Sequence, residues 1–102
     1  MAFRNGMRPV HPGEVLREEY LNPLEMSVNA LAKHLGITTS RLTDIVLRRR
    51  GVTPDTALRL ARYFGGDARS WLNMQTAHDL RTAEIEKAKE IERTVEPMRK
   101  SA

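Results

Sequence analysis

The sequence has no cysteine. That single absence removes disulfides, thiolate zinc sites and thiol catalysis together, and it is compatible with a reducing compartment. Aromatic residues are scarce, with one tryptophan, two tyrosines and two phenylalanines in 102 residues. No apolar run approaches the roughly 20 residues that span a membrane. The opening stretch MAFRNGMRPVHPGE lacks the apolar segment of a signal peptide. A cytoplasmic protein without a membrane partner is therefore expected. The three histidines, His11, His34 and His78, have no metal-ligand spacing and no companion carboxylate pattern. Cap or surface roles fit them better than a metal site. There is no nucleophile–base pair and no Gly-rich phosphate loop, so neither an enzyme nor a bound cofactor is expected.

What is present suits one domain of modest core. Apolar residues make up 40% of the chain and charged residues 29%. The net charge of +4 is unevenly placed. Residues 1–78 hold 11 Lys and Arg against 7 Asp and Glu, whereas residues 79–102 hold 6 against 6. Six arginines fall between Arg41 and Arg62. Such a cluster is the electrostatic footprint of a polyanion partner.

The helical signals follow one another without a strand pattern, which gives an all-α fold. Residues 1–11 read as an irregular arm. HPGE opens a first helix, with Pro12 at its first position, Glu14 at the positive end of the dipole, and Val15, Leu16 and Tyr20 facing inward. Asn22-Pro23 is expected to stop it, because a residue before proline is pushed out of the helical region. Ser27 caps the second helix, whose apolar positions are Val28, Leu31, Ala32 and Leu35, and Gly36 ends it. Thr38 caps the third, with Leu42, Ile45 and Val46 as its inner face. Thr53, Pro54 and Asp55 start the fourth, which carries Leu58, Leu60, Ala61 and Phe64. Asp67 caps the fifth. From Leu80 the composition shifts to Ala, Glu, Lys, Ile and Arg, with Glu84–Lys87, Glu86–Lys89, Glu90–Arg93 and Glu96–Arg99 as i, i+3 pairs. The domain boundaries drawn from this are an arm at 1–11, a helical domain at 12–80 and a charged helical extension at 81–102.

Two helices joined by a tight Gly-containing turn form a helix-turn-helix. Its close crossing needs a small residue, Ala32, and its turn a glycine, Gly36. The third helix must bury aliphatics on one side and begin with polar groups that reach phosphates and base edges. Thr38, Thr39, Ser40, Thr43 and Asp44 supply those groups, with Arg41 beside them and Arg48, Arg49 and Arg50 within reach of a nucleic-acid backbone. Each residue taken alone also has an ordinary structural use; the spacing of Ala32, Gly36, Leu42 and Ile45 is what points to the motif.

These strings resemble a known family. HPGEVLREEYLNPLEMSVNALAKHLGIT and RRGVTPDTALRLARYFGGDARSWLNMQTAHDL are similar to the two halves of HigA-type antitoxins, within the phage-repressor-like helix-turn-helix superfamily. The resemblance covers about residues 8–80. It implies a five-helix domain with an extended C-terminal helix, a homodimer, binding to a double-stranded DNA operator with repression of the protein's own operon, and a HigB-type toxin partner of the RelE-like ribonuclease class. It places the base-reading positions on Thr39, Ser40, Thr43 and Asp44, and the backbone-contacting positions on Ser27, Asn29 and the loop after the third helix. Two departures stand out: Leu47-Arg48 where the family often has Asn-Gly, and His78-Asp79-Leu80 where it often has Tyr-Asp-Leu. A repressor without a toxin partner, or a helical adaptor that lost DNA binding, are the competing readings.

The dimer is expected to use Leu72, Met74, Ala77 and Leu80 after Asp67, whereas Trp71 is read as core. For the toxin, the arm and the acidic face of the first helix (Glu14, Glu18 and Glu19) suit a basic ribonuclease. The Glu-rich stretch 84–96 offers the same charge.

Overall fold

The computed structural model describes residues 8–99, so the first seven residues of the expected arm and the last three of the extension lie outside it. The described residues form five helices and no strand. Helix α1 is a continuous run over residues 12–24, made of an α-helical start Pro12–Val15, a π-helical turn Leu16–Leu21 and an α-helical end Asn22–Leu24. Helix α2 spans Val28–Leu35, α3 Thr39–Val46, α4 Pro54–Phe64 and α5 Ala68–Thr94.

Local chemistry sets most of these ends. His11 Nδ1 accepts from the Gly13 N–H at 2.8 Å, Ser27 Oγ from Ala30 at 3.0 Å, Thr38 Oγ1 from Arg41 at 3.1 Å, and Asp67 Oδ1 from Arg69 at 3.0 Å. Each satisfies one of the orphan donors of a helix start. Gly36 closes α2 at φ 71°.

The stop expected at Asn22-Pro23 does not occur there. Asn22 is helical at φ −65° and ψ −50°, and α1 ends at Glu25, left-handed at φ 52°. A proline inside a regular helix clashes with the carbonyl four residues back. Here the Asn22 N–H donates to the Arg17 carbonyl, five residues back. The widened π turn makes room for the ring, so the chain passes Pro23 without breaking.

The core joins all five helices. Leu16, Leu31, Leu42, Ile45 and Leu60 are fully buried, and Trp71 closes the cluster from α5. Tyr20 lies between Phe64 and Trp71, with ring centroids at 4.6 and 5.6 Å. Burying a side chain of this size contributes about 1.5–3 kcal/mol. The apolar face expected of α4 needs one correction. Leu58 is 65% exposed, and Ala57 takes the inward position. Ala57, Leu60, Ala61 and Phe64 share one helical stripe, from which Leu58 is turned by roughly 100°.

Helix α5 continues unbroken past Leu80 to Thr94. The i, i+3 pairs expected along it stay open, and the ion pair found there is Arg81–Glu84 at 3.7 Å. Exposed pairs of long side chains gain little from closing, because ordering them costs entropy. No helix among the described residues is long and apolar enough to cross a membrane.

Candidate nucleic-acid interface

The N-termini of α2 and α3 come side by side. Thr39 Oγ1 donates to Asn29 Oδ1 at 2.7 Å, so one hydrogen bond joins the two helix starts. Both residues are exposed. Each helix start carries a partial positive charge and free N–H groups, so the pair presents a surface suited to phosphate. Ser27 and Thr38 stand at these starts as caps; their oxygens accept from the backbone while their O–H groups stay available to donate.

Around α3, Leu42, Ile45 and Val46 are buried, and Ser40, Thr43, Asp44 and Leu47 lie on the opposite side. Among the described residues, the Ser40 and Thr43 hydroxyls make no side-chain hydrogen bond within the chain. These two reach outward as the sequence anticipates.

Arg41 and Asp44 are instead engaged within the chain. Arg41 Nη2 turns back to α4, donating to Asp55 Oδ2 at 2.8 Å and to Thr56 Oγ1 at 2.6 Å. Asp55 also receives Arg59 Nε at 2.9 Å, and these two guanidinium hydrogen bonds, that from Arg59 first, hold its carboxyl below the usual carboxylate range. Arg41, expected at phosphate, thus ties α3 to α4. Asp44 has its carboxylate occupied from below, by Arg49 at 3.1 Å and Arg50 at 4.0 Å.

The loop after α3 explains that arrangement. The Arg48 N–H donates to the Ile45 carbonyl at 3.0 Å, and the Arg49 N–H to the Asp44 carbonyl at 2.7 Å. These are the two bonds of a Schellman motif, with Arg48 at the left-handed position, φ 64°. Glycine or asparagine ordinarily sits there, and the apolar contact that often accompanies the motif is replaced by the Arg49–Asp44 ion pair. The Leu47-Arg48 departure therefore leaves the turn intact while adding charge to it. Arg48 in turn lies 3.5 Å from Glu14, which accepts a two-pronged pair from Arg8 at 3.0 and 2.8 Å. The Arg8 hydrogen bonds hold the Glu14 carboxyl low, against the opposing effect of partial burial.

Two long-range supports escaped sequence reasoning, one in the loop after α3 and one at the end of α2. Gln75 on α5 accepts the buried Val52 N–H at 2.8 Å and donates to Asp79 at 2.9 Å. Arg59 donates to the Leu35 and Gly36 carbonyls at 2.9 and 3.3 Å, closing the C-terminus of α2. Their partners lie 23 and 24 residues away, beyond any local signal. The structure also brings His11 and His78 into edge-to-face contact at 4.8 Å, although 67 positions separate them. Burial lowers the His11 pKa, and the neighbouring His78 and Arg48 act in the same direction. Among the described residues no cluster of His, Asp or Glu is arranged to hold a metal ion.

The four residues expected at a dimer contact do not form one face. Leu72 and Met74 are partly buried against the core. They lie about 160° apart on the helix, whereas Ala77 and Leu80 are about 60° apart. Leu80 is 60% exposed and faces away from the core.

Comparison with known proteins identifies the fold that carries these residues. The pattern of the helix-turn-helix family HTH_3 matches residues 18–71, more than half of the chain. Virulence-associated protein I of Dichelobacter nodosus is 62% identical over 86 residues, covering 84% of this chain and 80% of its own. The solved structure of antitoxin GraA superposes with a TM-score of 0.89 at 46% identity, covering 91% of this chain and all of its own. Pseudomonas aeruginosa antitoxin HigA, solved with the higBA promoter, gives a TM-score of 0.86 at 42% identity, covering 90% and 100%.

Proposed function

Since this chain belongs to the HigA family of helix-turn-helix antitoxins, we propose that it binds an operator in double-stranded DNA, represses its own operon, and neutralises a RelE-like ribonuclease toxin of the HigB type. Its relatives include an HTH-type transcriptional regulator of Escherichia coli and an antitoxin solved with promoter DNA. The observation that carries the DNA reading is the Thr39–Asn29 hydrogen bond, which presents two helix N-termini together beside the free hydroxyls of Ser40 and Thr43. In this reading Thr39, Ser40 and Thr43 meet base edges. Ser27, Asn29 and Thr38 meet phosphates through helix starts, and Arg48, Arg49 and Arg50 neutralise the backbone.

One recognition helix reads only a few base pairs, so a two-fold dimer with half-sites about 34–36 Å apart is the expected binding form. The outward face of α5 around Ala77 and Leu80 is the surface for it, with Leu72 and Met74 supporting that helix against the core. In light scattering, Leu80→Glu is expected to lower the mass of the wild-type dimer. The toxin is assigned to the arm and α1. Removing residues 1–7, which spares the Arg8–Glu14 pair and the His11 cap, is expected to reduce toxin affinity with DNA binding retained. Removing residues 82–102, the Glu-rich stretch included, is expected to leave the toxin bound, and the opposite pattern would move the site to that stretch.

The DNA reading is tested by anisotropy over a salt series, on sites selected from a random library and on unselected DNA. Phosphate contacts make affinity fall steeply with salt. Changing Arg49 and Arg50 to Ala removes two phosphate contacts from each subunit of the dimer, so it is expected to weaken both DNAs and flatten the slope by about 4 on a log–log plot. Ser40→Ala with Thr43→Ala is expected to reduce discrimination between them. An unchanged slope in the arginine variant refutes the assignment.

A further inference from the structure

Leu47 stands out among the exposed apolar residues because of its position. It is 46% exposed, at the C-terminal cap of α3. Seven residues after Ser40 and four after Thr43, it lies within about 20° of the Ser40 direction on the helix. It thus continues the outward hydroxyl line and shares nothing with the buried Leu42, Ile45 and Val46 stripe. Its backbone is fixed. The Leu47 N–H donates to the Thr43 carbonyl at 2.9 Å, and the Schellman turn at Arg48 begins directly after it. The neighbouring polar groups are engaged elsewhere, Asp44 with Arg49 and Arg48 with Glu14. What remains on the lower half of the α3 outer face is a leucine side chain on a rigid backbone.

We infer that Leu47 is a specificity-determining residue that reads the 5-methyl group of a thymine. The inference rests on the DNA reading proposed above. In the major groove the four ordinary bases present donors, acceptors and one apolar group, which is that methyl. A leucine cannot pair with any of the polar groups, and placing it over them would strip their water without return. Over a methyl it removes apolar surface from water on both sides. Ser40 above it would reach a polar edge in the same groove, so the two together distinguish a polar position from a methylated one along a single face.

The test uses the full chain and a DNA site selected from a random library. Each thymine is replaced in turn by deoxyuridine, which removes only the methyl. Wild type is expected to lose about fourfold in affinity at one thymine position per half-site, the effect of withdrawing one methyl from apolar contact. Leu47→Ala is expected to bind the thymine and deoxyuridine sites alike at that position, with its salt slope unchanged. Thr43→Ser, which removes the methyl one turn above Leu47 and keeps the hydroxyl, is expected to retain the wild-type sensitivity. The inference is overturned if no deoxyuridine substitution costs the wild type affinity, a result that needs no variant to fold. It is equally overturned if Leu47→Ala keeps the sensitivity, or if Thr43→Ser abolishes it. If wild type selects no DNA at all, the functional reading falls and this inference with it.

Discussion

Replacing Gly13 by alanine puts two effects in opposition. Gly13 is the second residue of α1, and alanine is favoured over glycine inside a helix by up to about 1 kcal/mol. Propensity alone therefore forecasts a more stable protein. Packing forecasts the reverse. Gly13 is buried, and a methyl built on it would overlap the carbonyl oxygen of Ile45 and lie 2.8 Å from its carbonyl carbon. The obstacle is backbone, in a residue that is itself fully buried in the last turn of α3, so no side chain can swing aside. The start of α1 has to lift away from α3, loosening the contacts that Pro12, Val15 and Leu16 make with the core. Overpacking of this kind costs about 1–3 kcal/mol and sometimes more. The propensity gain is smaller than its interior value in a first turn, so the balance is a loss of about 2 kcal/mol. For a domain this size that lowers the melting temperature by roughly 8–16 °C. Thermal and urea unfolding followed by circular dichroism measure it. Because Ile45 belongs to the reading helix, affinity for a selected DNA site should fall as well, once the folded fraction is accounted for. A Gly13→Ala variant that melts at or above the wild-type temperature would refute the close approach, and the docking of α1 on α3 with it.

Glu25 closes α1 at a left-handed position with no side-chain partner among the described residues; Glu25→Gly should relieve about 1–2 kcal/mol of strain and, after the extra chain entropy of glycine, raise stability by about 0.5–1 kcal/mol with DNA affinity unchanged. A melting temperature that stays the same or falls would count against the left-handed assignment. Gln75→Leu keeps the bulk but leaves the buried Val52 N–H unpaired, which costs about 1–3 kcal/mol; denaturant titration should show a lower midpoint, and an unchanged one would mean that hydrogen bond is dispensable. The His11 pKa is depressed by burial, so the folded state binds fewer protons than the unfolded chain below the ordinary value near 6.5. Stability should therefore fall as pH drops from about 6.5 towards the depressed folded value, and rise again on return. His11→Asn caps at any pH, so its melting temperature should depend less on pH over that window, and an identical dependence would exclude His11 as the group responsible.

The string HPGE illustrates what is legible in the sequence and what is not. His11 as a cap, Pro12 in the first turn and Glu14 at the positive end of the dipole are readable, because each acts within one helical turn. The role of Gly13 is not, because its reason lies 32 positions away at Ile45. The same division holds elsewhere. Ser27, Thr38, Thr53, Asp67 and Gly36 were all readable as ends, being chemistry of the adjacent backbone. Pro23 misled, since the π turn that accommodates it has no pattern in residue type. Ser40 and Thr43 emerged with the orientation anticipated. Arg41 did not, because a basic residue near a reading face looks free until the fold shows Asp55 opposite it. Local chemistry thus identified the helix-turn-helix, and long-range ion pairs then reassigned some of its charges.

Those reassigned charges bear on how the reading face is held. The loop after α3 carries three consecutive arginines, which repel one another and left free would scatter over many rotamers. Each has a carboxylate nearby: Glu14 for Arg48, and Asp44 for both Arg49 and Arg50. Further along, Gln75 fixes the backbone at Val52 from α5. The loop is therefore braced from α1, from α3 itself and from α5. Bracing lowers the entropy lost when the arginines meet phosphates, but a carboxylate also competes with the phosphate for the same guanidinium. At exposed sites such pairs contribute little, so a dense row of phosphates can outbid them while the preset loop shape persists. The bracing helices are also the ones proposed to meet other partners, α1 the toxin and α5 the second subunit. Occupancy of either surface would then bear on the base of the reading face through contacts already in place: through Glu14 and Arg48 from α1, and through Gln75 and Val52 from α5.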